Sequence, residues 1–277
     1  MVAPCQARVP PPSALTDGGN RASISVLLTR FLTILLLAGA AAGQTPRHYI
    51  CHRTNQPPIL DGSLTGKAWA RAPWTENFVD IQGDARPRPR FRTRAKLLWD
   101  DRSLYIGAEL REPDVWATLT QHDSVIFHDN DFEVFLDPHG HGVEYFEFEI
   151  NALNTSWDLF LPKPYRAGGH PDNSWEIPGL RSAVKINGTL NRPGDRDRGW
   201  TVTLAIPWDE ITSRSAVQHP QQGHTWRINF SRVEWRSRPA DRPRGEKEDN
   251  WVWSPQGEIN MHAPEHWGYV QFAGPGR

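Results

Sequence analysis

Cysteine is nearly absent: Cys5 and Cys51 are the only two in 277 residues. That excludes a disulfide-stapled scaffold and a cysteine-rich zinc fold. Methionine is equally scarce, at two, and one of them is Met1. There is no basic excess. The formal charge is −1, which removes the electrostatic footprint of a nucleic-acid binder. No apolar run approaches the roughly 20 residues of a membrane-spanning helix. Also missing are a Gly-rich phosphate loop, an H-E-x-x-H pair and a nucleophile elbow. Serine or cysteine catalysis therefore has no supporting constellation.

What is present begins with a targeting pattern. Arg30 precedes "FLTILLLAGAAAG", a short apolar run ending in small residues. A positive residue, an apolar stretch and an A-x-A-like end at Ala40–Ala42 make a secretory signal over residues 1–43. Cleavage is expected near Gly43 or Gln44, with a mature domain over 44–277. The Pro-rich stretch before Arg30 is long for a leader, and a start nearer Val26 or Leu27 is an alternative. Losing Arg8, Arg21, Arg30 and Asp17 takes the formal charge to about −3. Cys5 leaves with the leader, so Cys51 has no intrachain partner. No cysteine follows the small residues directly, which argues against a lipid anchor. The location implied is secreted or periplasmic, with no membrane span in the mature chain.

After a short polar entry, Gln44 to Pro58, strand-like segments follow closely. "RTRAKLLWDD" and "SLYIGAEL" flank a tight turn at Asp100–Arg102 and read as a hairpin. "DFEVFLD" and "EYFEFEINA" flank the Pro/Gly turn "PHGHG" and read as a second. "SWDLFLP", "RSAVKING", "GWTVTLAIPW", "TWRINFSRVEW", "NWVWSP" and "WGYVQF" complete the set. Roughly ten strands with few helical periods predict an all-β, jelly-roll-like antiparallel β-sandwich in a single domain. "DGSLTGKAWARA" and "PWDEITS" are the short-helix candidates. "RPRPRFRTR" and "SRPADRPRGEKED" read as exposed loops. The second interrupts a hairpin from Trp235 to Trp251 and could overhang a binding face. All 13 tryptophans lie beyond residue 60, as core or as binding platforms.

Period-two reading gives the central strands two unlike faces. In "DNDFEVFLDP", Phe132, Val134 and Leu136 oppose Asp131, Glu133, Phe135 and Asp137. In "YFEFEIN", Phe146, Phe148 and Ile150 oppose Tyr145, Glu147, Glu149 and Asn151. In "WRINFS", Ile228 and Phe230 oppose Arg227, Asn229 and Ser231. Side by side, these strands present an acid-rich face backed by an apolar one. Solvation of a sheet surface is the plain explanation. Like charges on neighbouring strands repel, however, which a purely structural surface would tend to avoid. The functional explanation is a concave face whose carboxylates and amides hydrogen-bond polyol hydroxyls while aromatics stack on the sugar. Paired carboxylates also admit a glycoside hydrolase. Asp137 with His139 and His141 in "PHGHG" is a candidate transition-metal turn, against a plain turn. Asp129, Asp131 and Asp137 are candidate oxygen ligands for Ca²⁺, without EF-hand spacing.

The order "PPILDGSLTGKAWARA", "AKLLWDDRSLYIGAELREPD", "DNDFEVFLDP", "FEFEINALN", "GWTVTLAIPW" resembles carbohydrate-binding module family 9 and its relatives in the DOMON-like superfamily. The resemblance covers about Ile50 to Phe272. It implies a jelly-roll-like sandwich, binding of an oligo- or polysaccharide, a role beside polysaccharide breakdown, and bound Ca²⁺ in some members. In the family's xylanase module two tryptophans clasp the sugar; the matching positions here are Phe127 and Met261. The binding glutamate matches Glu133, the following arginine is replaced by Glu149, and the motif's Asn matches Asn151. Glu147, Trp116 and Arg232 complete the expected site, with Glu234 paired to Arg232 as a rim. Trp175 and Trp251 are further platform candidates. The expected function is an exported, non-catalytic carbohydrate-binding module. Rivals are a protein-docking envelope domain using the loop from Ser237, a haem-binding DOMON-like domain ligated by Met261 or His262, and a glycoside hydrolase.

Overall fold

Alternating apolar residues of high β-propensity build the strands that carry the fold. The computed structural model describes residues 45–276, which lie within one compact unit, Ala42–Arg277. The leader read at 1–43 lies outside the described residues. In chain order the strands are β1 (His48–Arg53), β2 (Val79–Asp80), β3 (Thr93–Trp99), β4 (Ser103–Leu110), β5 (Asp131–Asp137) and β6 (Tyr145–Asn151). There follow β7 (Ser156–Leu161), β8 (Arg181–Asn187), β9 (Gly199–Pro207), β10 (Thr225–Glu234), β11 (Asp249–Val252) and β12 (Gly268–Pro275). Helices α1 (Lys67–Arg71) and α2 (Trp208–Ser215) are short. Both fall where the sequence places them.

The strands join in the order β7-β6-β5-β10-β12-β1-β3-β4-β9-β8, with β11 pairing β10 and β2. This long sheet folds over on itself. Phe132, Val134, Phe146 and Phe148 from one end share a core with Leu97, Ile106, Val202 and Leu204 from the other. The result is the expected β-sandwich. Its pairings are antiparallel except those of β1, which runs parallel to both β12 and β3. The polar entry read at Gln44–Pro58 is corrected by β1. Tyr49 and Cys51 are its buried pair, while Ile50 is 51% exposed. Cys51 is a free, buried thiol.

The family-like motifs hold the turns. In "WDDRSLY", Asp100 Oδ1 accepts from the amides of Arg102 (2.8 Å) and Ser103 (3.0 Å), and Tyr105 Oη donates to Asp100 Oδ2 at 2.8 Å. That closes the β3–β4 turn with a single aspartate. In "LDG…AW", Gly62 has φ +76°, and a Cβ there would lie 2.6 Å from the backbone of Val184 and Lys185. Only glycine lets this loop reach β8. Trp69 then packs on Leu98, Tyr105 and Ala205, outside the sandwich.

Candidate functional site

The two acid-bearing strands meet in register. Glu133 lies opposite Glu149, Phe135 opposite Glu147, and Asp131 opposite Asn151. On the far side of β6, Glu149 faces Trp157 of β7, and on the far side of β5, Glu133 faces Ser231 of β10. Odd-numbered residues of β5, β6, β7 and β10 therefore share one face. It is not solvated: Glu133 is 3% exposed, Glu147 4% and Glu149 2%.

This face floors a cavity of about 420 Å³. Glu133, Glu147 and Glu149 form the floor, and Phe127, Trp157, Tyr165, Met261 and His262 form walls. Glu248, at the end of the Arg/Pro loop from Ser237, also lines it. The overhang expected of that loop is thus realised by its last residues. The loop itself is tied down locally. Glu246 accepts from the amides of Arg236 and Ser237, and the Arg242 guanidinium lies 3.5 Å from the centre of the Trp235 ring.

Phe127 is held from both sides. Its amide donates to Glu149 Oε2 at 3.0 Å, and its carbonyl accepts from Trp235 Nε1 at 2.8 Å. His262 is anchored by Tyr145, whose hydroxyl lies 3.0 Å from Nδ1. Its Nε2 lies 3.8 Å from Glu147 Oε2. Burial depresses the His262 pKa to about 4, so its imidazole is neutral at physiological pH.

The floor residues hold two buried oxygens with no partner, Glu133 Oε2 and Glu147 Oε2; beside the floor, off the cavity lining, Asp131 Oδ2 and the Ser231 hydroxyl are unpartnered too. Buried polar atoms left unpaired are costly, so each is a position where an incoming hydrogen-bonding group gains most. Among the described residues no lysine or arginine pairs with Asp131, Glu133, Glu147 or Glu149. Burial pushes all four carboxyls up, Glu133 to about 7. The acids also raise one another, with Glu133 acting on Asp131, Glu147 and Glu149. A partly protonated floor both donates and accepts hydrogen bonds.

A pH dependence follows. With a folded-state pKa near 7 against an ordinary 4.5, the folded protein holds Glu133's proton where the unfolded chain has lost it. Stability then falls as pH rises through that window. His262, depressed from 6.5, opposes this only below 6.5, where stability is lost as pH falls towards 4. From pH 6.5 to 8 His122, raised chiefly by its hydrogen bond to Glu176, adds to the fall, so the share of Glu133 is read from the difference between parent and Glu133→Gln. The thermal midpoint is expected to drop across that range, and Glu133→Gln is expected to shrink the drop. A rising midpoint would contradict the buried-acid floor.

Several expected site residues lie elsewhere. Asn151 is fully buried and spent. Its Nδ2 donates to Leu119 O and Asp129 Oδ2, and its Oδ1 accepts from the amides of Leu153 and Thr155. It closes the β6–β7 turn. Trp116 is buried with Val233 and Trp235 behind Phe127, backing the wall without lining the cavity. Trp175 packs on Phe146 and Trp251 joins the core. Arg232 is an even-numbered residue of β10 and points between the layers. It pairs there with Glu112 (2.5 Å) and Glu234 (2.6 Å), against the ring of Trp251. No rim at the cavity comes from it.

The calcium candidates do not converge. Asp129 accepts from the Thr118 amide and hydroxyl, the Leu119 amide and Asn151. Asp137 accepts from the amides of Gly140 and Gly142. Only Asp131 keeps a free oxygen, and Ca²⁺ takes six to eight, so this trio does not fit the ion. His139 and His141 stack on each other, and His139 Nε2 lies 2.7 Å from Ser215 O.

Trp157, Tyr165 and Glu248 were missed as site residues, and His262 was read only as a haem-ligand candidate, not as a wall of a saccharide cavity. Trp157 had a signal: counted by twos along β7, it shares a face with Leu159 and stands beside Glu149. Tyr165 and Glu248 lie on loops whose paths period-two reading does not reach.

Solved structures show the same fold. A family 9 carbohydrate-binding module from Caldicellulosiruptor kristjanssonii, in complex with cellotriose, superposes with TM-score 0.53 at 16% identity, covering 82% of this chain and 94% of that one. The glucose complex from the same organism gives 0.54 at 17% identity, covering 82% and 96%. A Bacteroides uniformis protein described as carbohydrate-binding gives 0.62 at 14% identity, covering 82% and 100%. The search of curated proteins finds no match. The model of the carbohydrate family 9 binding domain-like family matches residues 59–274, nearly the whole sandwich, and the chain belongs to that family.

Proposed function

We propose that the chain is an exported, non-catalytic carbohydrate-binding module that takes a saccharide into the cavity above Glu133, Glu147 and Glu149. The observation that supports this most is the set of unpartnered carboxylate oxygens beneath aromatic and apolar walls. Sugar hydroxyls satisfy the oxygens, and sugar C–H faces stack on Phe127, Trp157 or Tyr165. Family membership and neighbours solved with cellotriose and glucose point the same way. The charge narrows the class. An anionic glycan would find no lysine or arginine in the lining to pair with and would meet any carboxylate of the floor that is ionised, so neutral or amino sugars are the ligands this floor accepts.

Export rests on the leader pattern at 1–43; no helix of the described residues is long and apolar enough to cross a membrane. Amino-terminal sequencing of protein recovered outside the cytoplasm is expected to begin near Gln44. The binding test is a glycan array probed with purified, verified-folded protein. Repeatable hits among neutral or amino sugars are expected. A blank array, or hits confined to anionic glycans, would refute the proposal.

A further inference from the structure

A second cluster of ligating groups lies away from the cavity, on the other face of β7. Trp157 and Leu159 face the cavity, whereas Asp158 between them points the opposite way. Its side chain is only 2% exposed. Asp158 Oδ2 accepts from the Ile177 amide at 2.7 Å, but Oδ1 has no hydrogen-bond partner. Beside it lie three groups whose ligand atoms are within 4.8 Å of one another, the nearest approach to Asp158 Oδ1 being His122 Nε2 at 3.6 Å. His122 and Asp123 come from the loop between β4 and β5, and Glu176 from the segment before β8.

The histidine is set for ligation. Its Nδ1 lies 3.0 Å from the Ser156 backbone carbonyl. A carbonyl only accepts, so Nδ1 carries a proton, which leaves Nε2 as the nitrogen that ligates a metal once the ion displaces its proton. This is the outer hydrogen bond that fixes metal-binding imidazoles. Nε2 faces Glu176 Oε2 at 3.0 Å, Asp123 Oδ1 at 3.3 Å and Asp158 Oδ1 at 3.6 Å. Zinc ligands at about 2.0–2.1 Å in a tetrahedron stand about 3.3 Å apart. The three distances bracket that edge. A protonated His122 bonded to Glu176 would explain the shortest of them. It would leave Asp158 Oδ1 buried and unpaired, with three acids around one positive charge.

We propose that His122 Nε2, Asp123, Asp158 and Glu176 bind one divalent transition-metal ion, with Zn²⁺ the best match to one imidazole and three carboxylates. The imidazole selects against Ca²⁺ and Mg²⁺, which take oxygen ligands. Such an ion would tie β7, an end strand of the sheet order, to the β4–β5 loop and to the segment before β8. It stands apart from the saccharide cavity and does not depend on it.

The test uses the purified chain without a polyhistidine tag, stripped by chelator and titrated with Zn²⁺ by calorimetry. Co²⁺ serves as a spectroscopic probe of coordination number. One Zn²⁺ per chain is expected, with an intense visible Co²⁺ band of the four-coordinate type and a raised thermal midpoint. His122→Ala, on an exposed loop, is expected to weaken Zn²⁺ by at least about 100-fold, beyond the usual effect of an outer-shell partner. Asp158→Ala should do the same, and circular dichroism would verify its fold. No stoichiometric Zn²⁺ binding, binding untouched by His122→Ala, or a response to Ca²⁺ alone would overturn the site.

Discussion

Glu133→Ala is expected to weaken saccharide binding by about 10- to 100-fold while leaving the protein folded. A hydrogen bond to a charged or strongly polarised group contributes about 1.5–3 kcal/mol, and tenfold in affinity is about 1.4 kcal/mol. Glu133 sits at the centre of the floor, between Glu149 and Ser231, with Oε2 unpartnered. Its loss therefore removes a ligand contact and no bond that the fold depends on. It also removes a buried carboxyl with no cation beside it, so the unfolding midpoint at pH 8 should be no lower than the parent's. Titration calorimetry with the best array ligand, beside a denaturation curve, gives both readings. Unchanged affinity would show that the sugar sits elsewhere; a large loss of stability would show Glu133 to be a structural residue.

Arg232→Met is expected to do the reverse: a loss of about 3–5 kcal/mol of stability with little change in sugar affinity where the protein is still folded. Arg232 is wholly buried, and its guanidinium donates to Glu112, Glu234, the Arg111 carbonyl (2.8 Å) and Thr93 (3.1 Å). Removing it leaves Glu112 and Glu234 between the layers with only the partly exposed Arg90, 3.7 Å from Glu234, as counter-charge. Glu234 is already pushed well up by burial. Methionine keeps volume, so packing is not the main loss. Adding Glu112→Gln and Glu234→Gln is expected to recover much of the deficit. Urea denaturation of the three proteins checks this, and a deficit that persists in the triple variant would assign the cost to lost packing on Trp251.

Period-two patterning made the site's floor legible, because strand side chains alternate whatever the tertiary setting. Phe132, Val134 and Leu136 are core, and Glu133, Glu147 and Glu149 do share one face. The same rule put Ser231 on the polar face of its strand, where the structure pairs it with Glu133, and by it Arg232 had to point the other way; reading Arg232 as rim set that parity aside. Buried alternation was harder to see in β1, where histidines flank the inward pair and an isoleucine points out. Depth was not legible. The acids read as a surface that water or sugar might reach, yet loops carrying Tyr165, Glu248 and His262 roof them over. Trp116 and Asn151 were misplaced for a related reason. Trp116 is buried by Val233 and Trp235, far along the chain, and Asn151 by turn geometry, neither of which has a local period.

The parallel strand β1 has a kinetic consequence. Its main partner is β12, with His48 beside Tyr269, and it meets β3 at only two positions. The first strand of the sandwich thus waits for the last, roughly 220 residues downstream. Non-local closure of this kind costs loop entropy before it returns any contact, and slows folding. During synthesis the sheet stays open at its middle until β12 emerges, so closure of the sandwich is delayed until almost the whole chain has been made.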